Sequence, residues 1–269
     1  MIHKAHLLFA LLLGATACGS SDTAPIRVTP PAGSSTQPID LLLDHFHIES
    51  IVVPRGRAFT RQVALMIGDL RDEELERLVS AVQHGFDPEK LRDDVATYML
   101  EHAPDGYVEE IAGWVDGGAS ADVDREASAY EPPVELQEWL ETYTSEPPSE
   151  ERIRLVARWS EARQEGTFFL LLEQAIDEAA YEVWGALRSD ARDFDSLGGD
   201  ALFERLSRSS WAAVVTALHA HEPVSDTLML DSTLEYESEA GQWYVETYQL
   251  AVAEAMRAAG ERVARVLTR

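Results

Sequence analysis

The chain has 269 residues, with 48 acidic against 22 basic side chains and a formal net charge of −26. That balance excludes a nucleic-acid grip, which needs clustered Lys and Arg to displace counterions, while a 45% hydrophobic share excludes global disorder. The single cysteine, Cys18, excludes an internal disulfide and any metal centre built from several thiolates.

Residues 1–17 carry the marks of an export signal: Lys4 at the positive start, the apolar run Leu7–Leu13, then the small residues Gly14-Ala15-Thr16-Ala17. An apolar run this short falls well below the roughly 20 residues that a spanning helix needs. Ala15-Thr16-Ala17-Cys18 resembles the bacterial lipobox, in which cleavage precedes the cysteine and lipid is attached to its sulfur; it departs at Ala15, where Leu is usual. The expectation is a lipid-anchored protein facing the periplasm, with Cys18 as the acylated residue and inner or outer membrane left open. Several acyl chains on one residue hold stably where a single chain holds marginally. Residues 18–38 are rich in Ser, Gly and Pro without an apolar period, which predicts a tether with a reach of roughly 25 Å.

From Ile39 onward the chain is expected to be all-α, as antiparallel helical hairpins or a bundle. Leu41-Leu42-Leu43 opens a helix that carries His45 and His47. Ile51-Val52-Val53 and the following Pro54-Arg55-Gly56 predict a loop and a break. Asp72–Gln83 is a short helix. Asp87 is a candidate N-cap for a helix with Pro88 in its first position and Leu91, Val95 and Tyr98 along one side. Tyr107–Val115, Val134–Tyr143 and Glu150–Arg163 follow, separated by Pro132-Pro133 and Pro147-Pro148; Thr167 opens a longer helix reaching Leu187. Ala201–Ser207 and Trp211–His221 are expected as two pieces. Val245, Tyr248, Val252, Ala255, Ala259 and Val263 recur at three or four and mark the most regular helix.

Leu234-Glu235-Tyr236-Glu237-Ser238-Glu239-Ala240-Gly241, followed by a long helix through Met256, resembles the signature of a bacterial envelope family, domain of unknown function 2059. That family pairs helices around an aromatic-x-Ser-x-x-Gly corner, matched by Tyr236, Ser238 and Gly241. The resemblance implies a helical-hairpin fold and no particular reaction. From the residues alone, Ser238 is suited to cap the last helix, Gly241 to admit a close helix, and Tyr236 to wedge the corner from the core side. Ile111–Gly117 echoes that corner, with Trp114 standing for Tyr236 and Asp116 for Ser238, and suggests two degenerate copies of one unit, 39–130 and 131–269.

Candidate chemistry is sparse. His45 and His47 have a metal-ligand spacing on a strand, but on a helix residues two apart point to opposite sides. His219 and His221 fail for the same reason and are expected to meet the dipole at a helix C-terminus. Asp116, Ser120, Asp122 and Asp124 fit a calcium loop poorly, with Ala121 and Ala127 where Gly and Glu belong, and predict a polar loop between helices. No nucleophile elbow, zinc-protease motif or phosphate loop occurs, so no catalytic residue, metal or cofactor is assigned. The six tryptophans default to core or groove positions. The leading expectation is a non-catalytic envelope module that binds another, basic, protein through helix grooves. Two alternatives stay open: a binder of a small apolar or cationic ligand between helices, and an envelope hydrolase working through carboxylates.

Overall fold

A computed structural model describes residues 38–45, 48–68, 70–132, 134–188 and 200–269. The architecture is all-α. The helices are α1 (Pro38–His45), α2 (Ile48–Ile67), α3 (Asp72–Gly85), α4 (Pro88–Glu101), α5 (Tyr107–Gly117) and α6 (Ala119–Ala129), then α7 (Leu136–Ser145), α8 (Glu150–Ala162), α9 (Glu165–Leu187), α10 (Asp200–Ala220), α11 (Asp226–Glu237) and α12 (Glu239–Leu267).

Helix α12 runs through the middle of the larger core. Its 29 residues span about 44 Å, and it buries side chains around most of its circumference, from Tyr244 through Val252 to Leu267. Small residues permit this. A Cβ on Gly260 would lie 2.5 Å from the Ala179 methyl, so α9 packs almost backbone to backbone against α12. The pair is parallel: Phe168 meets Tyr248, and eleven or twelve residues further along both helices Ala179 meets Gly260. Helices α3 and α4 cross the other side antiparallel, with Arg77 donating to the Leu267 carbonyl at 2.9 Å and Arg262 paired to Asp94 at 2.7 Å. Leu42 and Leu43 of α1, Phe59 of α2, Leu78, Leu91 and Ile111 complete this core, which therefore draws on both sides of residue 130.

A smaller core sits beside it, formed by Val123 of α6, Val156 and Trp159 of α8, Val214 and Leu218 of α10, and Met229 of α11. Tyr236, Val245 and Ala162, with Trp114 against them, join the two.

Several expectations need correction. Ile51–Gly56 is neither loop nor break: α2 continues through Pro54, and the buried stripe of Phe59 and Val63 outweighs the lost amide donor. Residues 119–129 are helical, since Val123 and Ser120 are buried and a neighbouring helix supplies the cap. The two pieces expected around Ser207 and Trp211 form one helix, α10. Helix α9 opens at Glu165 because Gln164, at φ 50°, makes the turn in the left-handed region without a glycine; Gln249 Nε2 donates to the Arg163 and Gln164 carbonyls there, at 3.3 and 3.2 Å. The Asp87 cap and Pro88 start of α4 stand as expected, with Asp87 accepting from the Glu89 amide at 3.0 Å.

Candidate functional site

The turn between α11 and α12 is one residue long. Ser238 is extended, its Oγ accepts from the Gly241 amide at 3.0 Å and donates to the Glu235 carbonyl at 2.7 Å. A Cβ at Gly241 would lie 2.8 Å from the Tyr236 Cα, so only glycine lets α12 start this close to α11. Tyr236 points inward and is 1% exposed.

The Tyr236 hydroxyl meets His45 Nε2 at 3.0 Å, and His45 Nδ1 meets Asp124 Oδ2 at 3.1 Å. A carboxylate only accepts, so Nδ1 carries the proton; in the neutral ring Nε2 then accepts from the phenol. Three helices are tied by this chain: α1, α6 and α11. Trp114 stands edge-on to His45, Tyr236 and Tyr244, and the Tyr244 hydroxyl donates to the Leu42 carbonyl at 3.0 Å. The buried guanidinium of Arg163 lies 4.3 Å from the Trp159 ring centroid and 5.3 Å from that of Tyr236, with Glu165 3.4 Å from its Nε. Burial disfavours the Arg163 cation, but Tyr236, Glu165 and Asp124 outweigh it and raise the pKa.

An acid, a base and a hydroxyl in line resemble the machinery that activates a nucleophile. The electrostatics here run the other way. Burial pushes the Tyr236 phenol up, against the pull of Arg163, and Tyr244 and Tyr248 are pushed up as well, so none is poised to ionise near neutrality. The arrangement fastens helices together.

A second polar chain lies alongside. The Glu235 carboxylate accepts from the Ala119 and Ser120 amides, both at 2.8 Å, and from Ser120 Oγ at 2.6 Å. Ser120 Oγ meets Ser232 Oγ at 3.0 Å, and Trp159 Nε1 donates to Ser232 Oγ at 3.1 Å. The helix joint in this half is Gly118, not Asp116; Ser238 corresponds to Gly118 as the single extended residue between two helices. The echo drawn from the sequence was therefore two residues out of register.

Asp116, Ser120, Asp122 and Asp124 do not converge: Ser120 serves Glu235, Asp122 pairs with Arg125 and Asp124 with His45. Among the described residues no group of three or more metal-binding side chains comes together. His47, the partner of His45 in the sequence pattern, lies outside the described residues, as does Cys18. The dipole expectation for His221 is overturned: burial, then the nearby Arg163 cation, pushes it down to about 4, so at neutral pH it is an uncharged ring packed 4.8 Å from Trp159. His219 is buried and donates to the Val134 carbonyl at 3.0 Å. Sequence reasoning missed Arg163, Glu235 as a cap, and Gly118, whose neighbours Gly117 and Ala119 hid which residue made the turn.

No family model matches the chain, and no curated protein or solved structure matches it either. Among the described residues no helix is long and apolar enough to cross a membrane.

Proposed function

We propose that this protein is a lipid-anchored, periplasm-facing envelope module that binds another protein and performs no reaction of its own. The observation that supports it most is the buried Asp124–His45–Tyr236 chain: the groups with catalytic chemistry are committed to holding α1, α6 and α11 together, and the phenol is pushed away from ionisation. Helix α1 directly follows the expected tether, so this clamp would fasten a body to its anchor and hold it as a rigid platform. The sequence before it supports the anchor, with Cys18 after small residues, and the Tyr236-x-Ser238-x-x-Gly241 corner supports a likeness to the domain of unknown function 2059 family. A net charge of −26 favours a basic partner.

Crosslinking in intact cells, with the tagged chain recovered from the membrane fraction, tests this. One stoichiometric envelope partner, lost in Cys18→Ala, is the expected result. A membrane-bound protein with no partner, or a protein indifferent to Cys18→Ala, overturns it.

A further inference from the structure

Helix α2 is set apart from the other helices by its charge. Among the described helices it alone carries more bases than acids, Arg55, Arg57 and Arg61 against Glu49, in a chain of net charge −26. Its bases are also left without acids. Every other described lysine or arginine side chain before the last residue of the chain makes a hydrogen bond or an ion pair, whereas Arg55 and Arg61 make neither. Acids outnumber bases 48 to 22, so two free guanidiniums on one helix mark a surface where no acid is within reach.

That surface is apolar as well. Gly56, Phe59 and Val63 turn towards the core, and Arg61 and Leu65, four residues apart, stand on the opposite side of the helix. Leu65 is 77% exposed, the most of any large apolar side chain among the described residues. Arg61, Gln62, Leu65 and Met66 line an apolar groove of about 360 Å³. Arg55 lies about 9 Å nearer the start of the helix. The acid that meets this group is Asp177 of α9, which accepts from Gln62. Of the other acids on α9, Glu165, Glu173 and Glu178 pair with Arg163, Arg205 and Arg257, which leaves Glu182.

Basic and apolar side chains on one helix face suit the surface of an anionic bilayer, with guanidiniums at the phosphates and apolar groups dipping below them. The place of α2 in the chain suits it too. Residues 18–37 precede α1 and reach about 66 Å when extended, whereas α2 is about 30 Å long. A chain fixed at Cys18 can therefore lay α2 along the bilayer, where the tether keeps the local lipid concentration high and a weak contact suffices. Charges more than about 8 Å from the head groups are largely screened, so acids on the far side of the body count for little.

We infer that the face of α2 carrying Arg61 and Leu65 is a membrane-docking surface for anionic phospholipid, and that it turns the acidic faces of the body away from the bilayer. This rests on the lipid-anchor reading and adds the orientation of the anchored body.

The test uses the full chain, purified from the membrane fraction and reconstituted in vesicles of phosphatidylcholine with or without phosphatidylglycerol. Leu65→Cys carries a polarity-sensitive dye, since a lipidated Cys18 has no thiol to compete for it. Brominated acyl chains are the quencher, and Leu234→Cys, at a 53% exposed position on α11, is the control. At position 65 quenching is expected to be about fivefold stronger in anionic than in neutral vesicles, and at position 234 weak in both. Arg55→Glu with Arg61→Glu is expected to remove the difference, Arg55→Lys with Arg61→Lys to keep it, and added salt to erode it. A dye at position 65 quenched no more than at position 234 overturns the surface. So does quenching there that ignores both lipid charge and the two arginines. Mass spectrometry of Cys18 separates this inference from the reading it rests on. An unmodified cysteine removes the anchor; the surface then stands if the Cys18→Ala, Leu65→Cys chain added to anionic vesicles is quenched at position 65, and falls if it is not.

Discussion

The carboxylate of Glu235 occupies the space that a side chain at Gly118 would fill. Helix α6 thus begins without a capping residue of its own, and a residue 115 to 116 positions away accepts from its first two amides. A Cβ at Gly118 would lie 2.6 Å from the Trp114 carbonyl as well.

Two substitutions follow from that relationship. Glu235→Ala leaves two amides without their acceptor and Ser120 Oγ with Ser232 Oγ as its remaining partner, and is expected to cost about 1–3 kcal/mol. Gly118→Ser, which would restore a local cap in an isolated helix, is expected to destabilise because it drives Glu235 out. Urea denaturation of the two variants checks both, and a stabilised Gly118→Ser would contradict the shared joint.

Tyr236→Phe is expected to cost about 1–3 kcal/mol, because it leaves His45 Nε2 buried without the phenol that serves it. His45→Gln on the same background should then cost less than it does alone, since both changes break one chain. A double-mutant cycle in urea measures the coupling, and simple additivity would mean that the two residues are not joined.

Acid sensitivity should centre on His221. Its unfolded pKa is near 6.5, whereas the folded value is about 4. Between those values the unfolded chain binds a proton that the folded chain refuses, so this contribution is intact above about pH 6.5 and is lost as the pH falls towards 4. The expected loss is about 3 kcal/mol. Stability measured from pH 7 to 4 should fall less steeply in His221→Gln, and an unchanged slope would show that the ring is more hydrated than its packing implies.

At the alkaline end the sign reverses. Tyr236, Tyr244 and Tyr248 keep their protons in the folded state beyond the pH at which free tyrosines lose them. Their contribution is whole below about pH 10 and declines above it. Tyrosinate absorbance should rise in two stages, exposed rings first and these three only as the fold opens.

Much of the helix inventory was legible because its signals are local. Asp87 followed by Pro88 marks a start within three residues, and the spacing from Val245 to Val263 needs no partner to be recognised. The corner at Tyr236, Ser238 and Gly241 is of that kind too. Helix α6 was hidden because its cap comes from α11, and α2 because Pro54 carries a penalty that only the buried Phe59 stripe outweighs. His45 drew notice for the wrong neighbour: its partner in sequence is His47, but its partners in space are Asp124 and Tyr236, the latter 191 positions away. Nothing in the letters around Arg163 signals that a guanidinium is buried between two aromatic rings.

Gly260→Ala sets two effects against each other. Alanine favours helix over glycine by about 1 kcal/mol, yet its methyl would lie 2.5 Å from the Ala179 methyl. The clash is expected to win by about 1–3 kcal/mol, since backbones on both sides must separate. Thermal denaturation decides it, and a raised melting temperature would mean that α9 has room to retreat.

The position of α12 has a bearing on how the chain is made. A ribosome delivers α1 to α5 and α9 first, each with an apolar face meant for a helix that does not yet exist. Until α12 has emerged, the buried faces that carry Leu78, Leu91, Ile111 and Val183 lack the helix that runs through the middle of their core. For a chain that crosses a membrane unfolded, as the proposed anchor would require, the larger core would be completed only when the last segment to cross has arrived.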